Sequence, residues 1–166
     1  MKKRSLFRRL AFRTKISLSI IAILLVFGVS LSLIISRNVS QALLKENRLR
    51  GVSHAVNLSA RVIEPLLSMD FLELKTLVNE ISETNRDIAY AFVLDSAGDP
   101  LVHTFSGGFP TDLMRANAVQ DSETYHIQSL STETGLIDDF AAPVLIAADR
   151  VGTVRIGMSR SRIQDV

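Results

Sequence analysis

The sequence predicts an α+β fold, in which a membrane helix continues into a stalk helix and leads to a five-stranded antiparallel sheet with flanking helices. Three observations predict it. Ile16 to Ile35 is an uncharged run of twenty residues behind a basic cluster, the apolar residues from Ser36 to Glu83 recur at helical spacing, and the texture turns to strand after Asn85.

The uncharged run is preceded by Lys2, Lys3, Arg4, Arg8, Arg9, Arg13 and Lys15 and by no acidic residue. Twenty helical residues cover the roughly 30 Å hydrocarbon core, and a basic flank holds its end in the cytoplasm. The expected layout is therefore a basic cytoplasmic tail over 1–15, a transmembrane helix over 16–35 and an extracytoplasmic remainder. A cleaved secretory signal is the rival reading. Its apolar core normally runs about 7 to 15 residues, and here the small residues Gly28 and Ser30 sit inside the run with Leu31, Leu33, Ile34 and Ile35 still to come.

Seven of the 19 Lys and Arg residues lie before the span. From Arg37 onward 12 basic side chains face 17 acidic ones, a net charge of −5. That surface has no basic stripe to bind phosphates, so nucleic-acid binding is not expected. Cysteine is absent, which excludes disulfides, cysteine-ligated zinc and thioether-linked haem. About 130 residues remain for one single-core domain, and its core must be mainly aliphatic.

Over 36–68 the residues Val39, Leu43, Leu44, Leu49, Val52, Val56, Ile63 and Leu66 predict a stalk helix with an apolar seam. Either the domain's own sheet or a second copy of the helix must cover that seam. Pro65 ends the pattern. A second helix is expected over about 70–83, with Asp70 as N-cap and Phe71, Leu74, Leu77, Val78 and Ile81 on one face.

Ile88 to Asp95 and Pro100 to Phe105 read as a hairpin joined by Ser96-Ala97-Gly98-Asp99. Ser106 to Pro110 is a loop. Thr111 to Asn117 begins like a helix capped by Thr111 or Asp112, and three strands follow at about 123–130, 138–146 and 152–159. Pro143 is expected at a strand edge or bulge, since it cannot donate to the ladder.

This order of a span, a stalk and a strand-turn-strand from Phe92 to Thr104, closed by Val151-Gly152-Thr153-Val154-Arg155-Ile156-Gly157, resembles the extracytoplasmic PAS-like sensor domains called Cache or PDC domains. These serve bacterial sensor histidine kinases and chemoreceptors. The resemblance covers about Arg37 to Ile163 and places the sensor domain at 69–159. Residues 160–166 would begin a connector toward a second span. The resemblance implies the input region of a two-component histidine kinase, with a chemoreceptor or a cyclic-dinucleotide enzyme as the related alternatives. The chain contains no phosphoacceptor histidine region and no ATP-binding glycine boxes, so no catalytic residue is expected within it.

In the citrate and dicarboxylate branch of that family a histidine at the place of His103 contacts the ligand carboxylate. Here Pro100 stands where that branch has one arginine, and Asp139 near where it has another, so citrate-like ligands are disfavoured. Arg155 is expected to be exposed if Val154 and Ile156 face the core, and to be the pocket's anion donor if the faces are reversed. Tyr125 and His126 lie on a strand read as the middle one, and one of the two must face inward. Phe105 and Phe109 flank the glycine loop, which is either a pocket lid or a plain connector.

These six residues, His103, Phe105, Phe109, Tyr125, His126 and Arg155, form the expected ligand-binding set. Asp138 and Asp139 point to opposite faces and are no catalytic pair. No cofactor and no metal site is expected. The expected partners are an unknown small molecule, the membrane and a second copy through the stalk; the competing class is a membrane-tethered protein-interaction domain without a small ligand.

Overall fold

A computed structural model describes residues 12–132, 135–147 and 149–160, with side chains 12–15 and 33–43 outside the description. Most of the basic tail and nearly all of the predicted connector lie outside the described residues, as do the side chains of the last three residues of the predicted span. The chain divides into two compact units, Met1–Leu43 and Leu44–Val166.

In the first unit, helix α1 (Phe12–Arg61) begins, and its apolar side chains from Ile16 to Leu31 are exposed. Among the described residues no helix is long and apolar enough to cross a membrane.

The second unit holds the rest of α1, α2 (Ile63–Leu67), α3 (Phe71–Thr84) and five strands. These are β1 (Ile88–Asp95), β2 (Pro100–His103), β3 (His126–Thr132), β4 (Gly135–Ile146) and β5 (Asp149–Ser159). The sheet is antiparallel in the order β2-β1-β5-β4-β3. Helix α1 ends at Arg61, four residues before Pro65, whose ring displaces the carbonyl at that position and whose nitrogen has no proton to give it. Asp70 caps α3 through Oδ1, which accepts from the amides of Leu72 and Glu73 at 3.1 and 3.0 Å.

Strand alternation divides the sheet into two covered faces. One packs Ala91, Val93, Phe140, Ala142, Val144, Val154 and Ile156 against Ala55, Leu58 and Val62 of α1 and Leu74 and Val78 of α3. The seam of α1 is thus covered by the domain's own sheet from Gly51 onward, while Leu44 and Leu49 stay exposed. Gly51 marks a close approach of α1 to β4. A Cβ there would stand 2.4 Å from the Phe140 ring.

Two expectations need correction, and that for Pro143 agrees with the structure. Thr111 to Asn117 forms only one 3-10 turn, Thr111–Leu113, because the segment lacks helical apolar spacing and is tied instead to the sheet. The strand carrying His126 is an edge strand, and it starts at His126, leaving Tyr125 outside it. Pro143 lies two residues past the end of the β3 pairing and one before a register shift at Val144/Leu145, so no ladder partner claims its nitrogen on the β3 side.

Candidate functional site: the loop-side face of the sheet

The second face of the sheet carries Tyr90, Phe92 and Leu94 of β1, Ile137 and Asp139 of β4 and Arg155 of β5, beneath the segment 104–125. That segment is anchored at its start, where Thr104 N donates to Ala91 O and Ala91 N to Thr104 Oγ1, each at 3.0 Å. Two halves can be distinguished.

The first half is aromatic. Phe109 meets the edges of Phe92 and Phe105 at centroid distances of 5.0 and 5.8 Å, and Phe105 lies 5.3 Å from Tyr90. His103, at the end of edge strand β2, sits 5.8 and 5.6 Å from Phe105 and Phe109. Its Nδ1 is buried without a hydrogen-bond partner among the described residues, and its backbone carbonyl accepts from Lys75 Nζ on α3.

The second half is polar and more deeply buried. Arg155 and Asp139 are both 0% exposed. Arg155 Nε donates to Asp139 Oδ1 at 2.7 Å and Nη2 to Oδ2 at 2.8 Å, a bidentate pair. Tyr90 Oη donates to Asp139 Oδ2 at 2.6 Å, and Asn117 Nδ2 to Oδ1 at 2.8 Å. The remaining Arg155 nitrogen, Nη1, donates to Leu113 O at 2.9 Å, and the guanidinium lies 5.0 Å from the Phe92 ring centroid. His126 Nδ1 donates to Asn117 Oδ1 at 2.6 Å, which extends the network to the edge strand.

Gly157 makes this geometry possible. In register it lies between Tyr90 on β1 and Asp139 on β4, and the Tyr90 ring passes over it so closely that a Cβ would stand 2.3 Å away. Burial first, then the charge and hydrogen bond of Asp139, raise the Tyr90 phenol well above its ordinary pKa, so it acts as a donor.

The structure brings together five of the six predicted residues. His103, Phe105 and Phe109 share the aromatic half, and Arg155 and His126 the polar half. Tyr125 stands apart and is exposed. Arg155 is a correction to the exposed reading: Val154 and Ile156 do face the helices, yet the opposite face is covered too, so Arg155 is buried there. Sequence reasoning missed Tyr90, Phe92 and Asn117 as members of the site. The available signal was a pair of opposite charges, Asp139 and Arg155, each set inside an apolar strand.

On the other face, Asp138 pairs with Arg160, whose Nε donates to Oδ2 at 2.8 Å, with Ser129 Oγ at 2.6 Å, and more loosely with Arg48 of α1 at 3.7 Å. Burial of Asp138 works against its charge, but the hydrogen bonds from Arg160 and Ser129 and the nearby positive charges outweigh it and hold the carboxyl below its ordinary pKa. No group of three or more potential metal ligands occurs among the described residues.

The sequence matches no protein-family model and no curated protein. Among solved structures, the fold is similar to the histidine kinase DctB sensor domain of V. cholerae. The TM-score is 0.52 at 16% identity, over 75% of this chain and 59% of that one. The chain thus spans less than two thirds of that sensor domain. This is a likeness of fold, a PAS-like five-stranded sheet, and it bears on the architecture rather than on the ligand.

Proposed function

We propose that this chain is the input region of a bacterial transmembrane signalling protein of the histidine-kinase type, with a Cache-like sensor domain held outside the cytoplasm. The observation that supports this best is the likeness of its helix-fed five-stranded sheet to a histidine kinase sensor domain. The uncharged run over 16–35 and its seven basic neighbours support an anchor with a cytoplasmic N-terminus. Helix α1 runs unbroken from that segment to Arg61, which supports it as the element that carries the signal, alone or paired with a second copy.

In this reading a small molecule binds beside His103, Phe105 and Phe109, where a buried imidazole nitrogen has no hydrogen-bond partner among the described residues. Only a difference in affinity between two packings of the loop on the sheet drives the signal. Thermal unfolding of the full chain in detergent, against a panel of metabolites, tests it. A saturable rise in melting temperature with one chemical class, lost in His103→Ala, is the expected result. A folded protein with no response across the panel would overturn ligand sensing.

A specific observation favours a second reading, a tethered interaction domain. Leu67, Met69, Phe71 and Leu72 form an exposed apolar turn between α2 and α3. Met69 there holds a left-handed φ of 54°, a conformation that glycine adopts without cost.

A further inference from the structure

The two edges of the sheet are protected unequally. Edge strand β2 has four residues, begins with Pro100 and lies opposite a register shift at Val93/Leu94. The carbonyl of its last residue, His103, is held by Lys75 Nζ from α3. Short length, proline, irregular pairing and a lysine are devices by which natural sheets stop a further strand from adding. Edge strand β3 has none of them. It runs seven residues, His126-Ile127-Gln128-Ser129-Leu130-Ser131-Thr132, with no proline, lysine, arginine or carboxylate, and it pairs with β4 without a register shift.

The ladder determines which of its backbone groups are free. Arg160 N donates to Leu136 O at 3.0 Å, so at this end of β4 the even-numbered residues direct their backbone groups toward β5 and the odd-numbered ones toward β3. The β3 partners of those odd-numbered residues, Thr132, Leu130, Gln128 and His126, are the hydrogen-bonded set. Ile127, Ser129 and Ser131 turn amide and carbonyl out of the sheet edge, where no partner claims them among the described residues. The side chains of Gln128, Ser129 and Ser131 along this edge are exposed.

We propose that β3 is a strand-addition edge and that its occupant is β3 of a second copy, paired antiparallel about Ser129. A two-fold axis there sets Ser129 opposite its own counterpart and Ile127 opposite the counterpart of Ser131. These are the outward residues of both copies, so this one register pairs every free amide and carbonyl with another. On the opposite face of the joined strands Gln128 meets the counterpart of Leu130, and His126 that of Thr132, with no like charges opposed. A foreign strand is selected by its side chains, and an uncharged edge of small polar residues offers little to select with. The contact is separate from any pairing of the stalk helices, and it does not rest on the signalling reading.

Seven paired residues make a small interface, so covalent trapping suits it better than a mass measurement. The chain has no cysteine, and a single introduced thiol can bridge only to another copy. Opposed residues of a hydrogen-bonded antiparallel pair have Cα atoms about 5.5 Å apart, within disulfide range. The experiment is mild oxidation of the full chain in detergent carrying Ser129→Cys, read as linked dimer on a denaturing gel. Ser96→Cys, in the exposed β1–β2 turn, is the reference. Ser129→Cys should link at least about tenfold faster than Ser96→Cys, because pairing holds its two thiols together. Adding Ser131→Pro removes one outward amide and spares the β4 ladder, so it should bring the rate down to the reference with the melting temperature kept.

Equal rates for Ser129→Cys and Ser96→Cys would overturn the proposal, as would fast linking that survives Ser131→Pro in a folded chain. Leu49→Cys, exposed on α1, reports on the stalk. Fast linking there with slow linking at Ser129 would seat the second copy on the helix and also overturn the proposal. If Ser131→Pro does not fold, Ser131→Lys takes its place, since an edge lysine opposes strand addition and leaves the backbone untouched.

Discussion

The two faces of the sheet solve the same burial problem with different chemistry. The helix side is closed by aliphatic side chains from α1 and α3, with Phe140 seated against Gly51. Among the described residues no α-helix covers the loop side. It is closed by aromatic rings and by a hydrogen-bonded Arg155–Asp139 pair that ties down an irregular segment. Apolar contact is non-directional, so it suits a rigid helix that presents a whole face. Hydrogen bonds fix particular atoms, so they suit a loop, whose own backbone groups must also be satisfied.

That contrast breaks most sharply at Arg155. Replacing it with leucine keeps the bulk and leaves the Asp139 charge buried with only Tyr90 and Asn117 as donors. Loss of one partner of a buried pair costs about 3–5 kcal/mol. Denaturant unfolding of Arg155→Leu should show that loss, and protease cleavage within 104–125 should speed up more than cleavage in α3. Equal acceleration at both places would show that the network does not specifically hold the loop.

How much of this could be read from the chain follows the same division. Strand β1 is found at its predicted bounds, Ile88–Asp95, and α3 within a residue of its own, because period and capping are local signals. The alternation of β5 separates Val154 and Ile156 from Arg155, and the structure places the first two on the helix side. Alternation alone does not reveal whether the other face is covered, and so it leaves Arg155 between solvent and a pocket. The covering segment lacks any period. Its conformation is set by Asn117 and Leu113 O meeting groups on β4 and β5, contacts between residues 22 and 42 positions apart.

The helix side is sharpened by Gly51. Alanine there gains about 1 kcal/mol of helix propensity, but its Cβ would overlap the Phe140 ring, and overpacking of this kind costs about 1–3 kcal/mol. Gly51→Ala should therefore destabilise the parent slightly and stabilise a Phe140→Leu background, where the ring is gone. A double-mutant cycle measured by chemical unfolding checks this reversal of sign. Additive effects would mean that α1 moves away from β4 freely, and that the close approach is not a constraint on the fold.

The smallest effect concerns an ionic cluster on the helix-side face, where Asp138 meets Arg160 and Arg48. The fold holds the Asp138 carboxyl below its ordinary value of 3.8, so above that value the folded state keeps a charge that it favours more than the unfolded chain does. This contribution is fully present at neutral pH, and it is lost as the pH falls through the folded pKa, where the folded state too becomes protonated. Arg48 is half exposed, so the benefit rests mainly on Arg160 and Ser129. Other carboxylates titrate in the same range, and the informative quantity is the difference between the parent and Asp138→Asn. That difference should be largest at neutral pH and shrink below about pH 4. A gap that persists unchanged into acid would assign the role of Asp138 to shape and neutral hydrogen bonding with Ser129.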